Sequence, residues 1–177
     1  MIEQTQPRPA LQDALLAGLW ETAIAPALRL LPPGMSSPVA WQLMLAIILQ
    51  ESRGIHRVQI VNGGGRGPAR GLGQFERGGG VLGVLNHKAS RHHAWNVCEA
   101  LKVPCTSHTV WAALEHNDVL AAAMIRLLLW TDAAPLPHRD SAELAWKYYI
   151  RNWRPGQPHR HTWDEFHARA RAFVYGA

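Results

Sequence analysis

The chain has 177 residues, of which 47% are apolar and 18% charged, and it carries a formal net charge of +5. That length buries one sizeable core, and that balance is ordinary for a soluble globule, so a single domain over 1–177 is expected. The excess of positive charge suits a polyanionic partner, and ten histidines would add to it under acid conditions.

The first ten residues carry Glu3 and two prolines. They lack a basic n-region followed by an apolar h-region, so no secretory signal is read there. Leu11 to Leu31 has helical apolar spacing, with Pro26 expected to break or kink it. Ser37 followed by Pro38 pairs an N-cap residue with proline at the first helical position, and so starts an apolar helix through Trp41 to Ser52. Gly54 to Gly80 is rich in glycine, with triplets at Gly63–Gly65 and Gly78–Gly80. Ile60, Val61, Leu72 and Phe75 punctuate it, which a flexible linker would not need. An ordered loop is therefore expected, with Val58 to Val61 the only weak strand signal.

Beyond the loop the pattern is helical throughout. Ser90 is expected to cap a helix through Lys102, and Ser107 a short one to His116. Asn117 should cap Asp118 to Trp130, whose apolar run is short and contains Arg126, so it cannot span a bilayer. Asp140 should start Ser141 to Asn152, and Thr162 the last helix to Tyr175. Cys98 and Cys105 lack zinc or redox spacing and read as free, buried thiols, with a loop-closing disulfide as the alternative. The fold class is all-α, with one small hairpin at most.

Glu51 is the residue with chemistry. Ala40, Met44, Ile47, Ile48 and Glu51 fall on one helical face, so its carboxyl group continues an apolar stripe. It also lies in the last turn, where outward-pointing carbonyls disfavour negative charge. Desolvation and dipole both favour a protonated carboxyl group near neutral pH, which is what a general acid requires. The glycine-rich stretch is not a phosphate loop, because no Gly-Lys-Ser/Thr follows and the preceding element is a helix.

Glu51-Ser52 at the end of an apolar helix, followed by Gly71-Leu72-Gly73-Gln74, resembles the soluble lytic transglycosylases of the lysozyme-like superfamily, which also holds goose-type lysozyme. The late Tyr148-Tyr149-Ile150-Arg151-Asn152-Trp153 resembles that family's Tyr-Asn element, although two residues separate Tyr149 from Asn152. Gly73 in place of the family's usual methionine, and Glu76 just after Phe75, are further departures. The resemblance covers roughly 36–158, leaving 1–35 as an N-terminal helical segment and 159–177 as a C-terminal helix.

It implies a lysozyme-like helical domain that cleaves the MurNAc-β-1,4-GlcNAc bond of peptidoglycan glycan strands with Glu51 as lone catalytic acid and no cofactor. Ser52, Gly71, Leu72, Gln74, Phe75, Tyr149, Asn152 and Trp153 would bind substrate. Tyr149 and Asn152 would position Glu51 or the substrate's acetamido group. Glu76 is the possible second carboxylate of a hydrolytic lysozyme; pairing with Arg70 or Arg77 is the structural role preferred for it. The missing signal implies action at the cell wall or periplasm after delivery by a phage virion, a lysis system or a secretion apparatus, as a monomer.

The rival classes are a basic nucleic-acid binder and a structural protein of a phage or secretion machine. Arg66, Arg70 and Arg77 sit beside glycines, and Arg151 and Arg154 flank Trp153, but no nucleic-acid recognition signature accompanies them. No metal site is read from the histidines: on a helix His92 and His93 diverge by about 100°, and no His-X3-His or His-Glu-X-X-His spacing occurs. Trp20, Trp41, Trp111, Trp130 and Trp146 fall in apolar patterns and are expected in the core, Trp95 is undecided, and Trp153 is expected in the cleft.

Overall fold

The computed structural model describes residues 13–176. The chain is mostly helical, with one two-stranded antiparallel sheet. Asp13 caps α1 (Ala14–Leu19), accepting from the Leu16 amide at 3.1 Å. A π-helical turn at Trp20–Ile24 then leads without interruption into α2 (Ala25–Arg29). Pro26 therefore causes no break. It sits in the first turn of α2, and the wide turn before it absorbs the missing amide donor. The expected Leu11 start and the signal-free first ten residues lie outside the described residues.

Ser37 starts α3 (Pro38–Ser52) as expected, its hydroxyl accepting from the Ala40 amide at 3.2 Å. The helix is buried on every side from Ala40 to Gln50, so it is a central shaft and not an amphipathic surface helix. It packs most extensively on α9 (Arg160–Tyr175). Arg53, in the left-handed region at φ 55°, closes it.

The glycine-rich stretch is ordered. β1 (Val58–Ile60) pairs with β2 (Arg66–Arg70) through a register irregularity between Val58 and Ile60. Gly63 and Gly64 take positive φ at its tip. Gly71, at φ 74°, then turns the chain back so that Phe75 bridges Arg70. A second π-helical turn, Arg77–Val81, runs into α4 (Leu82–Asn86), helical structure that the glycine triplet did not suggest.

α5 (Arg91–Ala100) ends earlier than expected, where Lys102 enters the left-handed region. Ser90 holds its N-cap position as expected, but makes no side-chain capping bond, because its hydroxyl donates to the Val84 carbonyl at 2.7 Å. α6 (Ser107–Ala113) is capped by Thr106, one residue before the expected Ser107. α7 (Asp118–Thr131) is capped by Asn117 as expected. α8 (Ala142–Trp153) is capped by Ser141 and not Asp140, and α9 starts at Arg160, two residues ahead of Thr162.

One continuous apolar cluster runs from Leu16 to Val174 and centres on α3 and α7. Trp20 and Trp41 meet edge-on within it, their centroids 5.0 Å apart. The other tryptophans expected there reach it less fully. Trp111 and Trp146 are half-buried, and Trp130 is 39% exposed beneath the Arg126 guanidinium. Both cysteines are free; Cys98 is buried and Cys105 only half-buried.

Candidate active site

The end of α3 delivers Glu51 to a partly exposed position beside α8. Burial raises its carboxyl pKa from the ordinary 4.5 to about 7, and a hydrogen bond from Tyr149 opposes the rise. The Tyr149 hydroxyl donates to Glu51 Oε1. Tyr149 itself is buried, and burial together with the neighbouring carboxylate pushes its pKa far up, so it remains a donor at any working pH. A tyrosine donor can serve either state of Glu51, bonding to the carboxylate or to the carbonyl oxygen of the acid.

Of the two adjacent tyrosines, only Tyr149 reaches Glu51. Tyr148 points away from Glu51: its hydroxyl donates to the Leu129 carbonyl at 3.0 Å, and Arg151 lies over its ring. A helical step between neighbours separates the two side chains by about 100°, so only one of them can reach the α3 end.

An aromatic cluster fixes the Tyr149 ring. It stacks on Trp163 at 5.1 Å with an interplanar angle of 15°, while Trp146 and Trp153 lie at 5.4 and 5.9 Å. Trp163 is fully buried on α9 and donates from Nε1 to the Ala142 carbonyl at 2.9 Å. Rigid rings of this kind hold a hydrogen-bond donor in place without side-chain freedom to lose. Trp163 and Trp146 were not foreseen as supports, because nothing local in the sequence ties them to Glu51.

Trp153 joins this cluster to the turn after the hairpin. Its Nε1 donates to the Gly73 carbonyl at 2.9 Å, and its ring lies 5.8 Å from that of Phe75. It is partly exposed. Gln74 is partly exposed too, and a positive φ of 47° projects it from the turn while its amide donates back to the Gly71 carbonyl.

The remaining residues expected to touch substrate do something else. Ser52 is 1% exposed; its hydroxyl donates to the Ile48 carbonyl and accepts from the Gly54 amide, so it finishes the helix. Leu72 and Phe75 are core residues at 0% and 2% exposure. Gly71 is buried in a tight turn, where an added Cβ would stand 2.8 Å from the Leu114 carbonyl oxygen. Asn152 donates to Asp132 and to the Tyr148 carbonyl, both at 2.8 Å, and so makes no bond to Glu51. Ser52, Gly71, Leu72 and Phe75 are thus buried parts of the helix end and the turn, while Asn152 is partly exposed at the end of α8.

Glu76 also departs from expectation. It is exposed and forms no ion pair with Arg70 or Arg77 among the described residues. Arg70 and Arg66 instead meet Glu115, and Arg57 grips Asp118 through two bonds of 2.6 and 2.8 Å. With Trp111 Nε1 donating to the Pro68 carbonyl at 2.7 Å, these contacts pin the hairpin to the corner between α6 and α7. Among the described residues no group of three or more His, Cys, Asp or Glu side chains could hold a metal ion, and no helix is long and apolar enough to cross a membrane.

No protein-family model, curated protein or solved structure matches this chain.

Proposed function

We propose that the chain is a peptidoglycan-cleaving muramidase of lysozyme-like fold, a lytic transglycosylase in which Glu51 is the lone catalytic carboxyl group. The observation that carries this reading is Glu51 itself: a desolvated carboxyl group with pKa near 7, partly open to solvent and held by one tyrosine hydroxyl. Such a group is protonated in about half of the molecules at neutral pH, so it can donate a proton and then take one back. The same logic in lysozyme is a standard worked case, here applied by resemblance.

In the proposed reaction Glu51 protonates the glycosidic oxygen between MurNAc and GlcNAc as the C1–O bond breaks. The acetamido oxygen of MurNAc closes on C1 and carries the developing positive charge. Glu51, now a carboxylate, removes the proton from the C6 hydroxyl, whose oxygen attacks C1 and displaces the acetamido oxygen. The product is a 1,6-anhydro ring, and Glu51 ends protonated as it began. No second carboxylate and no water are consumed. Trp153 and Gln74 are the partly exposed groups that would meet the sugar, with the indole face suited to a pyranose ring.

The hydrolytic alternative would need a second carboxylate at a defined distance from Glu51, and the sequence offers Glu76, which is exposed and unpaired among the described residues, for that role. Mass spectrometry of fragments released from purified sacculi separates the two. Anhydro ends are expected; reducing ends would transfer the role to a Glu76-assisted hydrolysis, and no release at all would remove both. The site of action under this reading is the bacterial cell wall, reached by a virion, a lysis system or a secretion apparatus.

A further inference from the structure

Cys98 and Cys105 lie at the joint between α5 and α6, and the backbone there is tightly closed. α5 ends in a Schellman turn, in which the Lys102 amide donates to the Glu99 carbonyl at 3.1 Å and the Val103 amide to the Cys98 carbonyl at 2.9 Å. Lys102 supplies the left-handed residue that this turn requires, at φ 55°. Cys98 is therefore the residue onto which the departing chain folds back. Pro104 then leads into a γ-turn centred on Cys105, with the Thr106 amide donating to the Pro104 carbonyl at 2.8 Å. Thr106 in turn caps α6.

Backbone bonds thus fix both cysteines, one at each end of a short connection. Cys98 is buried at 1% exposure, and Cys105 packs on the same apolar cluster while staying half open to solvent. The side chains also act on each other: burial, with a hydrogen bond and charge from Cys105, pushes the Cys98 thiol up to about 12. Among the described residues no third ligand joins them in a group that could hold a metal ion. The joint has a wider reach through α6, whose Trp111 donates to the Pro68 carbonyl of the hairpin at 2.7 Å.

We propose that Cys98 and Cys105 are a redox pair that closes into a disulfide under oxidising conditions and fastens the end of α5 to the start of α6. The oxidant is a small-molecule disulfide, with glutathione disulfide as the representative. Cys105 reacts first, because it is the thiol open to solvent. Its thiolate attacks one sulfur of the oxidant, giving a mixed disulfide and one departing glutathione thiolate. The Cys98 sulfur, giving up its proton, then attacks Cys105 Sγ and displaces the second glutathione. Two protein thiols are oxidised, one disulfide is reduced, and the two thiol protons end on the two glutathiones. The closed loop removes freedom from the unfolded chain, so the oxidised form is the more stable one. The proposal does not depend on the muramidase reading.

The test takes the whole reduced chain, incubates it with glutathione disulfide, and blocks the remaining thiols with N-ethylmaleimide. Trypsin cuts after Lys102, so peptides 92–102 and 103–126 separate unless a disulfide joins them. Mass spectrometry should find the joined pair as the main product. The oxidised chain should melt about 5 °C above the reduced one, as expected for a loop this short, and dithiothreitol should reverse the rise. Cys105→Ser, at the half-open position, should melt at one temperature with or without the oxidant. Cys98→Ala should stop at a glutathione adduct on Cys105. Separate peptides carrying maleimide on both cysteines, a lasting glutathione adduct on the wild-type chain, or disulfides between chains would overturn the proposal. A joined pair that melts like the reduced chain would overturn the fastening role.

Discussion

The Tyr149 hydroxyl donates a hydrogen bond to the carboxyl group of Glu51, across ninety-eight positions of sequence. It is the only side-chain partner Glu51 has among the described residues, and it acts against the burial that raises the acid's pKa. In the proposed reaction Glu51 must be neutral to donate a proton and charged to accept one, and these two opposing influences set that balance.

Removing that donor has a signed consequence. Tyr149→Phe leaves desolvation unopposed, so the pKa of Glu51 should rise above about 7. The alkaline limb of the pH–rate profile for wall cleavage should move to higher pH, and kcat should fall about tenfold through lost positioning. An unmoved alkaline limb would mean that the hydroxyl does not act on the acid.

Stability should carry the same signature. A carboxyl group whose pKa is 4.5 when unfolded and about 7 when folded favours the folded state fully below pH 4.5 and loses that contribution as pH rises through 7. Glu51→Gln keeps the shape and an acceptor for Tyr149 but cannot ionise. It should melt close to wild type at pH 4.5 and be more stable at pH 8, by at most roughly 3 kcal/mol. Thermal unfolding at the two pH values measures this, and a difference that does not change with pH would contradict it.

His167 should oppose that trend. It is buried on α9, with its Nε2 3.0 Å from Gln42 Nε2. Burial lowers its pKa, with Asp164, Asp140 and Arg171 as the charged neighbours. A depressed histidine pKa gives stability above the unfolded value of about 6.5 that is lost as pH falls below it. His167→Leu should flatten the stability profile between pH 7.5 and 5; an unchanged slope there would exclude His167 as its source.

The departure of Gly73 from the methionine of the resembling family has a steric reason. A Cβ at this position would stand 2.6 Å from Phe75 Cε2 and 2.8 Å from Ile125 Cγ1. Phe75 and Ile125 occupy the space that a methionine side chain would enter. Gly73→Met should therefore destabilise, by about 1–3 kcal/mol for overpacking, and Gly71→Ala by a similar amount through its positive φ and the Leu114 carbonyl. Denaturant melts measure both, and a Gly73→Met variant as stable as wild type would show that the turn repacks freely.

What could be read from the residues alone was local. Ser37-Pro38 announces α3, Asn117 announces α7, and the end-of-helix position of Glu51 announces a perturbed acid. The misreadings came from contacts between distant segments. An apolar stripe cannot show that α3 is covered on all sides, because the covering helix lies more than a hundred residues later. Ser52 and Leu72 have the residue types of the family motif and Phe75 follows it, yet whether they face substrate or core depends on how the turn packs. Arg70 chooses Glu115 over Glu76, a preference set by hairpin docking and invisible in spacing. Tyr149 and Tyr148 differ by one helical step, and only the placement of α8 against α3 decides which reaches Glu51.

The most direct measurement compares wild type and Glu51→Gln on purified sacculi, with circular dichroism showing that both are folded. Wild type should release muropeptides with 1,6-anhydro ends, and Glu51→Gln should release none above background. Substantial release by the Gln variant, or inert wild type, would contradict Glu51 as the catalytic acid.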